Sequence, residues 1–222
     1  MSNTEDRNSP DTSEDENDKS SNVEEETSKP SLVSAVLDKF KPSTWSTMSA
    51  DSEVELITVP SRGSQFQKVE AKIHDTLAVS IDSVKRVQNP YLWGCYLLKK
   101  AECKERQPST IETYLFHATA QRNVQSIVEG NLDWRRSSRT RYGQGVSFSP
   151  RASYANKYCN RMVGSRRALL MCRVLVGKSH DGCYITELPR EGCCTTMGNG
   201  GSVYVKYYDN EFYPEYVAYY TY

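Results

Sequence analysis

Histidine is scarce in this chain: three in 222 residues, at positions 74, 117 and 180. The seven cysteines are odd in number and form no C-x-x-C pair. A structural zinc site needs four convergent ligands, which the adjacent Cys193-Cys194 does not have, so no metal is expected. Long apolar runs are missing as well. None approaches the roughly 20 residues that span a bilayer, and the polar N-terminus lacks the apolar core of a signal peptide. These absences predict no membrane partner and an intracellular protein with reduced thiols, nuclear and/or cytoplasmic. No basic run chooses between the two compartments. No recognised nucleic-acid motif occurs either, so nucleic acid is not expected as a partner.

Net charge is also absent, but only on average. Residues 1–30 carry ten Asp or Glu against three Lys or Arg, a net of −7, so the remainder carries +7. A mildly basic body suits an anionic partner such as a dinucleotide, a nucleic acid or its own acidic tail. The acidic stretch holds too little apolar surface to offset its ordering entropy and is expected to be disordered. Leu32, Val33, Val36, Leu37 and Phe40 then follow at helical spacing, a short helix near 32–40. The expected organisation is an acidic tail over 1–50 and one folded domain over 51–222.

Within that domain, Val54 to Val59 reads as a strand stopped by Pro60. Ile81, Val84 and Val87 read as one face of a helix. Asn89-Pro90 is an N-cap followed by proline at the first helical position, and Leu92, Trp93, Tyr96 and Leu97 give that helix its apolar face. Tyr114 to Phe116 is a short strand ending at His117. Thr119 caps a helix carrying Val124, Ile127 and Val128, which Gly130 stops. Trp134 to Gly145 is an Arg-rich loop, Val146 to Ser149 a brief strand, and Ala152 to Cys159 a helix. Ala168 to Val176 is a buried central strand. Val203 to Tyr208 and Tyr216 to Tyr222 are late strands joined through Pro214. Helices early and strands late predict an α+β fold.

Seven segments together carry a resemblance. They are Arg86-Val87-Gln88-Asn89-Pro90-Tyr91-Leu92-Trp93, Leu115-Phe116-His117-Ala118-Thr119, Asn131-Leu132-Asp133-Trp134-Arg135 and Tyr142-Gly143-Gln144-Gly145-Val146-Ser147-Phe148-Ser149. Ala152 to Tyr158, Leu175 to Lys178, and Ser202 to Tyr207 with Tyr213 to Val217 complete the set. In this order, over about 140 residues, they resemble the catalytic domain of the poly(ADP-ribose) polymerase (PARP) family. The likeness is nearest to its mono-ADP-ribosyltransferase branch with CCCH zinc fingers or WWE modules. It implies the ADP-ribosyltransferase fold, with antiparallel split β-sheets and flanking helices, and NAD as substrate.

The resemblance also implies site residues. His117 matches the histidine that binds the nicotinamide ribose. The backbone of Ala118 and Thr119 follows it and grips the carboxamide. Ala118 replaces the usual glycine, which is tolerated only at negative φ. Tyr158 matches the tyrosine that stacks on nicotinamide, and Tyr142 and Gly145 belong to the loop beside it. Two catalytic positions depart from the pattern. Ser147 stands where a tyrosine covers the sugar and ring, and Val203 stands where a glutamate polarises ribose and acceptor. Tyr154 is not taken as a substitute for the missing tyrosine. Arg135, Arg136, Arg139 and Arg141 hold a pyrophosphate, a nucleic-acid backbone or only solvent, and Arg161, Arg166 and Arg167 are expected to be solvated. The function implied is transfer of one ADP-ribose from NAD to a protein side chain, with release of nicotinamide. The alternative is a catalytically inactive module that binds a nucleotide or a protein partner through the same cleft.

Overall fold

In the computed structural model, described residues are 32–49, 52–137, 140–159 and 164–222. The acidic tail over 1–30, Arg139 and Arg161 therefore lie outside them. Helix α1 (Leu32–Phe40) opens the described chain. Strands then alternate with helices: β1 (Glu55–Thr58), α2 (Ser64–His74), β2 (Ile81–Gln88), α3 (Pro90–Arg106), β3 (Ile111–Ala120), α4 (Val124–Gly130), β4 (Val146–Phe148) and α5 (Ala152–Tyr158). Five strands follow: β5 (Arg166–Val176), β6 (Ser179–Asp181), β7 (Thr195–Gly198), β8 (Val203–Lys206) and β9 (Phe212–Thr221). No helix among the described residues is long and apolar enough to cross a membrane.

Two sheets result, in the orders β1-β2-β9-β5-β3 and β4-β8-β7-β6. Every pairing is antiparallel except β6 with β7, which is parallel. The α+β expectation with split antiparallel sheets holds, although helices and strands alternate rather than separating into early and late blocks. Strand β5 explains the long apolar run. Ala168, Leu170, Cys172 and Val174 face a core shared with α3 and α4, while Leu169 and Met171 face a second core shared with α2 and α5. Burial on both faces removes the polar alternation of a half-exposed strand.

The same two-faced burial corrects the reading of 81–88 as a helix. Val84 belongs to the α2-side core and Val87 to the α3-side core, so their spacing of three reflects two faces of a strand. The N-cap at Asn89 is as read: its side chain accepts from Leu92 N at 2.9 Å. Thr119 is not a cap. It pairs with Ala168 inside β3, and its hydroxyl accepts from Asn123 Nδ2 at 3.0 Å. Continuous pairing with β5 carries the strand three residues past His117. Pro214 sits within β9, opposite Cys172, where the register shifts and pairing with β2 has ended. An irregular position is where a strand accepts a residue without an N–H.

The packed unit also begins well before residue 51. Trp45 is 6% exposed and lies 6.2 Å from the Trp93 ring and 6.5 Å from the Tyr213 ring. Trp93 Nε1 donates to the Phe40 carbonyl at 2.9 Å. The compact unit includes the described residues from Leu32 onward. Trp45→Ala is therefore expected to cost about 3–5 kcal/mol, the usual cost of emptying a buried Trp site. A chain starting at residue 51 should melt lower than one starting at 31, by about 5 °C or more. Thermal unfolding of the two truncations checks this, and equal midpoints would show that Trp45 is peripheral.

Candidate active site

Strand β3 is the edge of the five-stranded sheet, and its open side meets β4. Phe116 N donates to Ser149 O at 2.7 Å, and Ser149 N donates to Phe116 O at 2.9 Å. This one bridge joins the two sheets. It also orients the backbone beyond it. Peptide groups two residues apart on a strand point the same way, so the N–H and C=O of Ala118 face the open edge, not β5. Ala118 does not adopt positive φ, so the condition for alanine here is met.

His117 lies mid-strand rather than at a strand end. Its Nδ1 sits 2.9 Å from Ser147 O, and its ring meets the Phe148 ring edge-on at 6.0 Å. The ring is partly accessible yet crowded by protein. Burial pushes its pKa below the ordinary value of 6.5, and the hydrogen bond to Ser147 opposes that only in part. The neutral ring donates from Nδ1 to the Ser147 carbonyl, which leaves Nε2 as an acceptor.

The second sheet supplies the opposite wall. Register places Ser147, Val205 and Thr196 in one row across β4, β8 and β7. Ser147 is exposed. Val203 starts β8, is 5% exposed, and packs with Val205, Tyr207, Tyr142 and Tyr154. Opposite Val203 stands Gly198, where a Cβ would come within 2.3 Å of the Tyr142 ring. The missing side chain makes the slot that Tyr142 fills. Gly145 is equally constrained, since a Cβ there would lie 2.3 Å from Lys206 O. Lys206 is held by Glu211 at 3.2 Å and by Thr195 Oγ1 at 2.8 Å, all fully buried. Burial raises the Glu211 pKa, and Lys206 opposes the rise.

Helix α5 brings Tyr154 and Tyr158 together, four residues apart on one face. Their ring centroids are 4.4 Å apart with planes tilted 34°. Burial, and then the neighbouring Tyr142 and Tyr158, push the Tyr154 pKa up to about 12. Tyr158 is 44% exposed, with Tyr154 covering one side of its ring. Sequence reasoning left Tyr154 outside the site, and its i,i+4 spacing to Tyr158 was the available signal.

The arginine clusters divide. Arg135 is spent on Asp133 at 2.9 Å and Asp209 at 3.5 Å, and Arg136 reaches Asp133 at 3.8 Å. Arg141 lies against the Tyr142 ring, 5.7 Å from its centroid. Arg166 is exposed as expected. Arg167 is not simply solvated: it donates to Gly164 O and Asn156 O and covers the Tyr222 ring at 4.6 Å. Among the described residues no group of three His, Cys, Asp or Glu is arranged to hold a metal.

Residues 63–218 match the family described as the poly(ADP-ribose) polymerase catalytic domain. Human protein mono-ADP-ribosyltransferase PARP12 is 29% identical over 198 residues, covering 82% of this chain and 28% of that protein. Mouse protein mono-ADP-ribosyltransferase PARP11 is 24% identical over 212 residues, covering 79% of this chain and 63% of that protein. Mouse zinc finger CCCH-type antiviral protein 1 is 24% identical over 102 residues, covering 45% and 10%. The chain thus spans less than two thirds of the length of each of these relatives.

The buried His117 gives a pH signature. Its folded pKa is depressed, so the unfolded chain takes up the proton first. Stability is full above about 6.5 and falls as pH drops toward the folded value. Urea midpoints at pH 7.5 and 5.5 should differ less in His117→Gln than in the parent chain. An unchanged difference would place the titration elsewhere.

Proposed function

The chain belongs to the poly(ADP-ribose) polymerase catalytic domain family, and on that premise we propose that it transfers one ADP-ribose unit from NAD to a protein side chain and releases nicotinamide. One observation carries this reading: the neutral His117 ring, fixed through Nδ1 on Ser147, beside the open backbone edge of Ala118. Nε2 accepts a hydrogen bond from the nicotinamide ribose. The Ala118 N–H and C=O match the acceptor and donor of a carboxamide. Thr119 continues that edge strand and is itself buried. The outer face of Tyr158 stacks on the nicotinamide ring, and Tyr142 and Gly145 shape the wall opposite.

In the transfer the bond between ribose C1′ and the nicotinamide nitrogen breaks. Nicotinamide leaves with the electron pair, and the oxocarbenium-like ribose is captured by the acceptor, which gives up its proton. Orientation and prepaid electrostatics lower the barrier of such a step. Val203 supplies no carboxylate to polarise a ribose hydroxyl, so a second unit cannot be added by that route. The reaction therefore ends at one unit.

A second reading has its own support. Val203 is buried between Tyr142 and Tyr154, and Tyr154 already occupies one face of Tyr158. Both fit a module that binds NAD or a protein partner without transfer.

Calorimetry of the full chain with NAD, followed by mass measurement after incubation with NAD, separates the readings. The transferase shows saturable binding, lost in His117→Ala, and adducts of one ADP-ribose per site. Binding without an adduct supports the module, and no binding overturns both as NAD proteins. Ser147→Tyr should tighten NAD binding about fivefold, since one aromatic contact contributes roughly 1 kcal/mol. An unchanged Kd would mean that position 147 does not reach the ligand.

A further inference from the structure

On the other side of the molecule, Arg86 lies in β2 with only 6% of its surface exposed. Among the described residues no carboxylate pairs with it. Its guanidinium donates instead to neutral oxygens: from Nε and Nη2 to Gln88 Oε1 at 3.2 and 2.9 Å, from Nη1 to Gln65 Oε1 at 3.0 Å, and from Nη2 to Ser46 Oγ at 3.3 Å. A buried guanidinium without an anion is costly.

The acceptors around it are also oversubscribed. Gln88 Oε1 takes the two Arg86 donors and two more, Ser46 N at 2.9 Å and Ser46 Oγ at 3.0 Å. An amide oxygen has two lone pairs, so four donors cannot all be satisfied well. Gln65 Oε1 is likewise shared with the Tyr216 hydroxyl at 3.1 Å. Glu55, paired across the ladder with Gln88, accepts from Ser49 N at 2.7 Å and makes no ion pair with Arg86. Among the described residues the cluster has donors and one positive charge in excess and holds no anionic acceptor oxygen.

Ser46 is the one partner of Arg86 that is both exposed and hydroxylated. It borders an open groove of about 660 Å³, whose lining includes Leu37, Met48, Val54 and Tyr91. Ser46 is therefore an exposed residue whose Oγ touches the buried cation.

We propose that Ser46 is a phosphorylation site and that its phosphate pairs with Arg86. A kinase would move the γ-phosphoryl group of a nucleoside triphosphate to Ser46. The Oγ–P bond forms, the bond to the β-phosphate oxygen breaks, and the diphosphate leaves with the electron pair. The hydroxyl proton goes to the kinase base. Three phosphate oxygens then take the donors that Gln88 Oε1 now shares, and the charge of Arg86 gains its counter-ion. The consequence is a latch. Ser46 adjoins Trp45, so the modification fastens the 41–49 segment to the body through an ion pair as well as through the tryptophan.

The test installs phosphoserine at position 46 of the full chain by genetic encoding, with phosphoserine at 49 as the control. The expected result is a thermal midpoint higher by about 3 °C or more and slower hydrogen exchange across 42–49, both largely kept in 1 M salt because a buried pair is screened little. Phosphoserine 49 should give neither. In Arg86→Lys, which keeps the charge but not the fork, the gain should shrink. A midpoint that is unchanged or lowered by phosphoserine 46, or raised equally by phosphoserine 49, would overturn the proposal. Phosphopeptide mapping of the chain made in eukaryotic cells reads occupancy. Phosphate on Ser46 is expected, and phosphate on Ser43, Thr44, Thr47 or Ser49 with Ser46 unmodified would also overturn it.

Discussion

The two hydrogen bonds between Phe116 and Ser149 are the only backbone bridge that joins β3 of one sheet to the β4 end of the other among the described residues. Everything in the candidate site depends on them. They hold β4 within reach of His117, so that the Ser147 carbonyl can fix the imidazole tautomer. They set which way the peptide groups of Ala118 point. Among the described residues no other backbone bridge reaches that edge of β3. An exposed strand edge is usually a liability for aggregation.

A precise edge needs a stiff sheet behind it, and buried charge contributes. Arg173 in β5 donates to both oxygens of Glu215 at 2.8 and 2.9 Å, and to Glu112 at 2.7 Å. Glu112 in turn accepts from Tyr96 and Lys100, and Tyr114 donates to Glu215. This network crosses β3, β5 and β9 and reaches α3. Its partners satisfy one another, and Arg173 carries ordinary ion pairs with two carboxylates. Among the described residues Arg86 carries none, and that contrast, within one sheet, marks the Ser46 region.

The two departures at the catalytic positions have different structural meanings. Ser147 is exposed at the β4 end of a row whose other members, Val205 and Thr196, are buried. Val203 is closed in by Tyr142 and Tyr154, so the change to an apolar side chain is absorbed into a small core. The first leaves a small hydroxyl at an exposed position, and the second places an apolar side chain in a buried cluster.

What the sequence determined by itself is local and chemical. The Asn89-Pro90 cap, the two-sided apolar run of β5, the helix bearing Tyr158 and the ordered motifs around His117 were all legible, because each depends on residues within a few positions of one another. The identities at 117, 147 and 203 already stated which groups a reaction could use. Tertiary structure decided the rest. Val84 and Val87 face opposite cores, Trp45 belongs to the folded unit, and Thr119 stays in a strand, because partners far along the chain claim them. Ser46 meets Arg86 across 40 residues, and His117 meets Ser147 across 30. Periodicity reports how often a side chain is buried. Only the packed sheet reveals against what: burial lowers the pKa of His117, and Arg86 meets neutral oxygens among the described residues.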